Sequence, residues 1–220
     1  MPGRFISFEG PEGSGKSTHV RALAEHLRGL GHRVLTTREP GGTPLCEMLR
    51  DVLQHNAAGE APVPRAEVLL FCASRAHLVE TVIRPALARD EWVLADRFTD
   101  STLAYQGFGR GFVLDELRRL NHFASGGLVP DLTILLDVDG DGRHRRLGQR
   151  RAAGKENDRF EQEPDEFHRR LRQGYQELAA ADPGRFLVLS TNSAVEDVAA
   201  AIRGEVARRF GTGAARTQPS

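Results

Sequence analysis

The sequence is poor in cysteine, lysine and long hydrophobic runs, and each shortage excludes a class of protein. Its 220 residues include two cysteines, Cys46 and Cys72, without C-x-x-C spacing, which argues against a disulfide scaffold. No apolar run approaches the ~18 residues of a membrane-spanning helix. The 30 basic residues, of which only Lys16 and Lys155 are lysine, balance 30 acidic ones. We therefore expect a cytoplasmic protein that binds neither nucleic acid nor a membrane.

Short apolar runs alternate with helical periodicity along most of the chain. The runs that predict buried strands are residues 5–8, 34–37, 92–95, 132–136 and 186–189. The patterns that predict helices cover about residues 16–31, 45–55, 64–89, 113–124, 164–181 and 194–210. This alternation indicates an α/β fold, a five-stranded parallel sheet with helices on both faces.

The remaining segments predict the domain organisation. We expect one domain over residues 1–210, with a basic, irregular and mobile lid at about 141–160. Residues 97–111 are interpreted as a polar connection, and residues 211–220 as a disordered tail.

Residues 10–17 match the phosphate-binding pattern G-x-x-x-x-G-K-[ST] between a predicted strand and a predicted helix. Backbone N–H groups of such a loop surround phosphates, and the helix N-terminus adds partial positive charge. Lys16 would reach the β- and γ-phosphates, and Ser17 would bind Mg²⁺. A compact ammonium fits this loop better than a guanidinium, which explains a lysine in an arginine-rich chain. The predicted ATP-binding residues are Gly10, Pro11, Glu12, Gly13, Ser14, Gly15, Lys16, Ser17 and Thr18.

Carboxylates at the ends of predicted strands are the candidate metal ligands. Asp96 ends the third strand, the position of a carboxylate that holds Mg²⁺ directly or through water. Asp137 ends the fourth strand and is more simply explained as a capping residue. Glu9, just before the loop, is an evenly balanced candidate for the metal, for the substrate or for neither.

The loop alone indicates only a nucleoside triphosphate. No N-K-x-D motif of a GTPase is present. The small size and the basic segment at 141–159 favour a small-molecule kinase, because a lid over the site excludes water that would hydrolyse ATP.

Four segments, in this order along the chain, resemble the bacterial thymidylate kinase family. They are F-E-G-P-E-G-S-G-K-S-T at 8–18, T-R-E-P-G-G-T at 37–43, D-R-F at 96–98 with S-T-L-A-Y-Q-G at 101–107, and D-R-F-E at 158–161. The resemblance implies a nucleoside monophosphate kinase-like P-loop fold and a homodimer. It also implies transfer of the γ-phosphoryl group of ATP to dTMP with Mg²⁺, which gives dTDP for dTTP biosynthesis. Phe98 departs from the family, which usually has Tyr or His there.

The resemblance also implies roles for single residues. Arg75 and Arg97 would bind the dTMP phosphate, supplemented by Arg38 and Arg50, with Glu39 near them. Phe71 would stack on thymine, while Thr102 and Gln106 would hydrogen-bond its edge, since an amide matches the N3–H and O4 pair.

The phosphate-binding loop has no arginine, so the lid would have to supply catalytic positive charge. As in the family's variant with an acidic loop, Arg146 and Arg150 are the predicted catalytic arginines, with Arg151 as the alternative. Glu12 would orient a lid arginine or the substrate sugar, and Lys16 and Arg97 would complete the catalytic set.

Two alternatives stay open on the sequence alone. Another nucleoside monophosphate kinase, for uridine, cytidine or purine nucleotides, would share the sheet and the loop. A P-loop switch module would bind nucleotide without phosphorylating a small molecule.

Overall fold

A computed structural model of the chain describes residues 3–55, 59–152, 154 and 158–212, without the side chain of Arg150. Its five strands are β1 (Phe5–Glu9), β2 (Val34–Arg38), β3 (Trp92–Asp96), β4 (Leu132–Asp137) and β5 (Phe186–Ser190). They form one parallel sheet in the order β2-β3-β1-β4-β5. The predicted α/β fold with a five-stranded parallel sheet is confirmed.

Nine α-helices occur in the described part of the chain. They are α1 (Lys16–Gly29), α2 (Pro44–His55), α3 (Pro64–Leu78), α4 (Arg84–Ala88), α5 (Thr99–Thr102), α6 (Leu114–Ser125), α7 (Gly140–Ala152), α8 (Asp165–Ala181) and α9 (Val195–Phe210). Two π-helical segments, Val79–Ile83 and Leu103–Gly109, join α3 to α4 and continue α5. None of these helices is both long and apolar enough to cross a membrane.

The hydrophobic core lies on both faces of the sheet. On one face, Val20, Leu23 and Leu27 of α1 are spaced by three or four residues, so one side of the helix packs against the strands and α9. Each such side chain contributes roughly 1.5–3 kcal/mol on burial. On the other face, α3, α6 and α8 enclose a second cluster that includes Tyr105 and Tyr175. Packing on both faces explains why the strands are continuous apolar runs.

The carboxyl ends of β1, β3 and β4 bring three loops together. Phe8 of β1 is paired with Asp96 of β3, and Asp96 in turn with Arg38 of β2. Because β1 lies at the centre, the loop of residues 10–15 emerges between the loops that follow β3 and β4. This edge of an open α/β sheet is where ligands bind.

The prediction of an irregular segment at 141–159 is wrong for its first part. Residues 140–152 form α7, and Asp139 caps the helix because its Oδ1 accepts a hydrogen bond from Gly142 N at 2.7 Å. The three glycines of this segment led to the prediction of an irregular structure. The segment is helical because it is rich in arginine, which is a good helix former. Residues 153 and 155–157 of the predicted lid and residues 213–220 of the predicted tail lie outside the described residues.

The polar connection at 97–111 is helical from Thr99 to Gly109, which the pattern did not predict. Its helical form depends on α8. A Cβ on Gly109 would come within 2.5 Å of the Phe167 ring, and one on Gly174 would overlap the Phe108 ring. In each of the two helices a glycine therefore makes room for a phenylalanine ring of the other helix. Local sequence patterns do not reveal this tertiary contact.

A buried contact between Arg143 and His168 joins α7 to α8. The Arg143 Nη2 and His168 Nε2 atoms are 2.6 Å apart. Since arginine is always a donor, the imidazole accepts and is neutral. Burial, and next the positive charge of Arg143, lower the pKa of His168 below its ordinary 6.5, whereas Glu12 and Asp165 oppose the shift.

We expect His168→Gln to reduce the acid sensitivity of folding. Below pH 6.5 the unfolded chain takes up a proton on this histidine before the folded chain does, so the free energy of unfolding falls as pH falls. Glutamine keeps an acceptor for Arg143 and does not titrate. The melting temperature should therefore fall less between pH 7.5 and pH 5 than in the wild type. The exposed His122→Gln should keep the wild-type slope, and an equal slope in both variants would contradict the prediction.

Candidate active site

The loop between β1 and α1 has the backbone that its glycines permit. Gly10, Gly13 and Gly15 have φ values of 135°, 77° and 92°, which L side chains rarely adopt. Lys16 Nζ lies across the loop and donates to Gly10 O at 3.0 Å and Pro11 O at 2.9 Å. Burial, and next the charge of Arg97, lower the pKa of Lys16 to about 8. The ammonium is therefore held where phosphate oxygens would meet it.

Ser17 and Asp96, the two residues predicted to hold Mg²⁺, lie in contact with each other. Ser17 Oγ donates to Asp96 Oδ2 at 2.6 Å, and both line the same cavity. A hydroxyl and a carboxylate are hard oxygen ligands that fit Mg²⁺. The described residues contain no cluster of three or more His, Cys, Asp or Glu suited to a metal. The pair would thus suit an ion that takes its other ligands from water and phosphate.

Glu9 does not join this pair. Its carboxylate is buried and accepts from Phe98 N at 2.8 Å, Ser101 Oγ at 2.6 Å and Tyr175 OH at 3.0 Å. Burial raises its pKa to about 7. Glu9 is not part of the lining of the cavity that contains Ser17 and Asp96, so of the alternatives predicted for it this geometry favours the one without a metal or substrate contact. Glu9 instead fixes the backbone after β3.

Arg97 follows β3 in a left-handed conformation, with φ 77°. Its Nη1 donates to Gly10 O at 2.9 Å, and its Nη2 donates to Glu12 Oε1 at 2.9 Å and Tyr105 OH at 2.8 Å. Tyr105 also hydrogen-bonds Glu12. Glu12, which was predicted to orient a lid arginine or the sugar, therefore holds Arg97 and Tyr105. The guanidinium is fixed against the phosphate-binding loop.

Most of the predicted phosphate-side residues share one cavity of about 600 Å³. Its lining includes Gly13, Gly15, Lys16, Ser17, Thr18, Arg38, Glu39, Arg50, Asp96, Arg97 and Arg146. Arg38 is half-exposed and pairs with Glu47 at 2.9 Å, and Arg50 Nη1 donates to Pro40 O at 2.9 Å. Both cations line the same cavity as Arg97, and among the residues that the structure describes neither forms an ion pair with a buried carboxylate.

The residues predicted to bind a pyrimidine line a second, narrower cavity. Phe71, Thr102 and Gln106 meet there, together with Tyr105 and Phe160. The two cavities share Glu12, Glu39, Gln54 and Arg97. Arg97 thus lies where a group bound in one cavity would meet a group bound in the other.

Arg75 lies on the pyrimidine side and not on the phosphate side. Its side chain is 1% exposed, and Glu39 accepts from its Nε at 2.9 Å. Its Nη groups donate to Asn121 Oδ1, Phe98 O and Thr102 Oγ1 at 2.6–3.2 Å. Arg75 lines the pyrimidine-side cavity and is not part of the lining of the phosphate-side cavity, whereas Arg97 lines both. The phosphate role of Arg75 stays a prediction, and its position favours a role at the pyrimidine-side cavity.

Of the predicted lid arginines, Arg146 is placed at the loop. Its Nη1 donates to Gly13 O and Thr191 Oγ1, both at 3.0 Å, and its Nη2 also hydrogen-bonds Thr191 O. The side chain of Arg150 lies outside the described residues. Asp137 is paired bidentately with Arg172 at 2.7 and 2.8 Å, which agrees with a structural role.

Three further side chains of the site, Ser101, Tyr105 and Tyr175, were not predicted from the sequence. All three contact Arg97, and Ser101 and Tyr175 also bind Glu9. The chain has only two tyrosines, a rarity that could have marked them as candidate site residues. Both of them contact Arg97.

The sequence and the fold are similar to those of known proteins. The model of the family described as "Thymidylate kinase" matches residues 8–202. Thymidylate kinase of Geotalea daltonii is 47% identical over 211 residues, 94% of this chain and 98% of the relative. That of Deinococcus radiodurans is 49% identical over 208 residues, with the same shares covered. The crystal structure of thymidylate kinase from Ehrlichia chaffeensis aligns with a TM-score of 0.76 at 32% identity, over 94% of this chain and 99% of that one.

Proposed function

The chain belongs to the thymidylate kinase family, and from that premise we propose which of its residues carry out the reaction. The protein is a nucleoside monophosphate kinase that phosphorylates dTMP, with ATP as co-substrate, in nucleotide biosynthesis. One observation carries the residue assignment: Arg97 is fixed between the phosphate-binding loop and the pyrimidine-side cavity. Residues 1–210 would act as one domain.

On the donor side, the loop of residues 10–15 and the N-terminus of α1 bind the triphosphate of ATP. Lys16 Nζ, which lies over the loop carbonyls, turns to the β- and γ-phosphates. Ser17 and Asp96 would hold Mg²⁺, which supplies charge neutralisation to the phosphates when bound. Arg146 and Arg150 remain the proposed catalytic arginines of the lid.

On the acceptor side, Arg97 binds the dTMP phosphate, with Arg38 and Arg50 adding positive charge around it. Two anionic phosphates must approach each other for transfer, so cations between them lower the barrier. Phe71 stacks on thymine, while Thr102 and Gln106 contact its edge. Arg75 lines the same cavity and supports it, because it donates to Thr102 Oγ1 at 3.0 Å.

The test is ADP formation with ATP against a panel of dTMP, dUMP, UMP, CMP, AMP and GMP. We expect dTMP to be strongly preferred and chelation of Mg²⁺ by EDTA to abolish turnover. Preference for another monophosphate would contradict the pocket assignment. Full turnover in EDTA would contradict the metal assignment.

We also propose that the protein is a homodimer. Helices α2, α3 and α6 each expose large apolar side chains, Met48 at 68%, Leu69 at 59% and Phe123 at 85%. Exposed apolar side chains on adjacent helices favour an interface between protein chains. Sedimentation should give a dimer for the wild type and a monomer for Phe123→Asp, and a monomeric wild type would contradict the proposal.

We also propose that the protein is located in the cytoplasm. Both cysteines are unpaired and buried, as suits a reducing compartment. Cell fractionation would test it, and recovery outside the cytoplasm would contradict it.

A further inference from the structure

Glu67 of α3 is a buried carboxylate behind the pyrimidine-side cavity. Its Oε1 accepts from Gln106 Nε2 at 2.9 Å and from Arg110 Nε at 3.3 Å. Its Oε2 accepts from Arg159 Nη2 at 2.6 Å and Arg110 Nη2 at 3.2 Å. The side chain is 1% exposed and does not line either cavity. Glu67 therefore cannot contact the substrate and acts only through its neighbours.

The contact with Glu67 determines which way the amide of Gln106 points. An ionised carboxylate is an acceptor only, so it can pair with the NH₂ group of Gln106 but not with its carbonyl oxygen. The opposite orientation would set two oxygens against each other in a buried place, with an unsatisfied polar group as the cost. Glu67 thus leaves the carbonyl oxygen of Gln106 as the atom available to a ligand.

Two arginines, Arg110 and Arg159, pair with the Glu67 carboxylate in this buried setting. Arg159 is itself fastened, because its Nε donates to Leu53 O at 3.1 Å and its N to Gln54 O at 3.2 Å. Arg110 pairs in addition with Glu163 at 2.6 Å. The cluster thus contains two cations, Arg110 and Arg159, and two anions, Glu67 and Glu163. Within it, Glu67 makes the contact with Gln106.

A carbonyl oxygen facing the base discriminates among pyrimidines. Thymine and uracil carry a hydrogen on N3 and can donate it, whereas cytosine presents an unprotonated N3 and would repel the oxygen. We propose that Glu67 is a positioning residue for base specificity: by fixing the amide orientation of Gln106, it makes the pocket select pyrimidines that carry an N3 hydrogen over cytosine. This inference rests on the proposed function, in which Gln106 contacts the base.

The experiment compares dissociation constants for dUMP and dCMP, measured by calorimetry, because neither base has the 5-methyl group. Glu67→Gln replaces the acceptor by an amide that can pair with either orientation of Gln106. We expect the preference for dUMP over dCMP to fall on the order of tenfold, as for the loss of one hydrogen bond of roughly 1.5 kcal/mol. The dissociation constant for ATP should stay at the wild-type value.

Glu163→Gln is the matched control, because it removes the same charge from the same cluster without touching Gln106. It should keep the wild-type preference. An equal loss in both variants would show that the cluster acts only through its charge and would overturn the inference. A folded Glu67→Gln with the wild-type preference would also overturn it.

Two further variants complete the test. Gln106→Leu should lose the preference for dUMP over dCMP, both with Glu67 and with its replacement by glutamine. If the preference stays, the proposed contact of Gln106 with the base is wrong. If Gln106→Leu loses the preference and Glu67→Gln keeps it, only the role of Glu67 fails. Should Glu67→Gln not fold, Glu67→Asp decides: its shorter carboxylate should lower the preference, and an unchanged ratio overturns the inference.

Discussion

Lys16→Ala is expected to lower kcat on the order of 10³-fold, as removal of a preorganised cation at the reacting phosphates does. Nζ is the charged group that the loop carbonyls of Gly10 and Pro11 hold in place, and it lies in the cavity shared with Ser17 and Asp96. Because charge at the γ-phosphate develops during transfer, the loss should exceed any change in KM for ATP. Steady-state kinetics with varied ATP measure both constants.

The matched variants separate charge from geometry. Lys16→Arg keeps a positive charge, but its planar guanidinium cannot occupy the position of Nζ, so kcat should fall strongly as well. Arg21→Ala removes an exposed cation of the same helix and should leave kcat within about twofold, since it lies on the surface. A kcat for Lys16→Ala within tenfold of the wild type, in a protein with a normal melting temperature, would contradict the assignment.

Arg97→Lys is expected to lower kcat/KM for dTMP by about 10²–10³-fold, the usual cost of one preorganised donor at the reacting group. The forked guanidinium reaches Gly10 O through Nη1 and Glu12 through Nη2. A single ammonium cannot serve both directions, so it would leave the acceptor phosphate unguided even though the charge is kept. The left-handed backbone at this position is no harder for lysine than for arginine.

The effect of Arg97→Lys should be confined to the kinetic constants for the acceptor, dTMP. KM for dTMP should rise far more than KM for ATP, and Arg118→Lys, an exposed arginine on α6 paired with Asp115, should behave like the wild type. An unchanged KM for dTMP with a lower kcat would mean that Arg97 acts in the transfer step and does not bind the acceptor.

The site residues that could be predicted from the sequence belong to one motif or to the ends of neighbouring strands. Lys16 and Ser17 belong to one loop motif, and Asp96 joins them because parallel strands end at the same edge. The positions of the central strands β1, β3 and β4 were predictable because each is a short apolar run that is buried along nearly its whole length.

Glu9 and Arg75 could not be placed, because distant residues decide their roles. Glu9 ends β1 beside Asp96, yet donors from residues 98, 101 and 175 turn it into a buried support. Arg75 is satisfied by Glu39 and Asn121, which lie 36 and 46 residues away. The helix at 99–109 depends in turn on aromatic side chains of α8. Local patterns contain none of this information.

The glycine–phenylalanine contacts between α8 and the helix of residues 99–109 limit where the gene can gain or lose codons. Phe167 and Gly174 fix how α8 lies on its neighbour, and Tyr175 on the same helix reaches Arg97. One inserted residue between Phe167 and Tyr175 would rotate the tyrosine by about 100° around the helix axis. Length variation among related genes should therefore occur before or after α8 and spare its interior, although α8 supplies no proposed contact with either substrate.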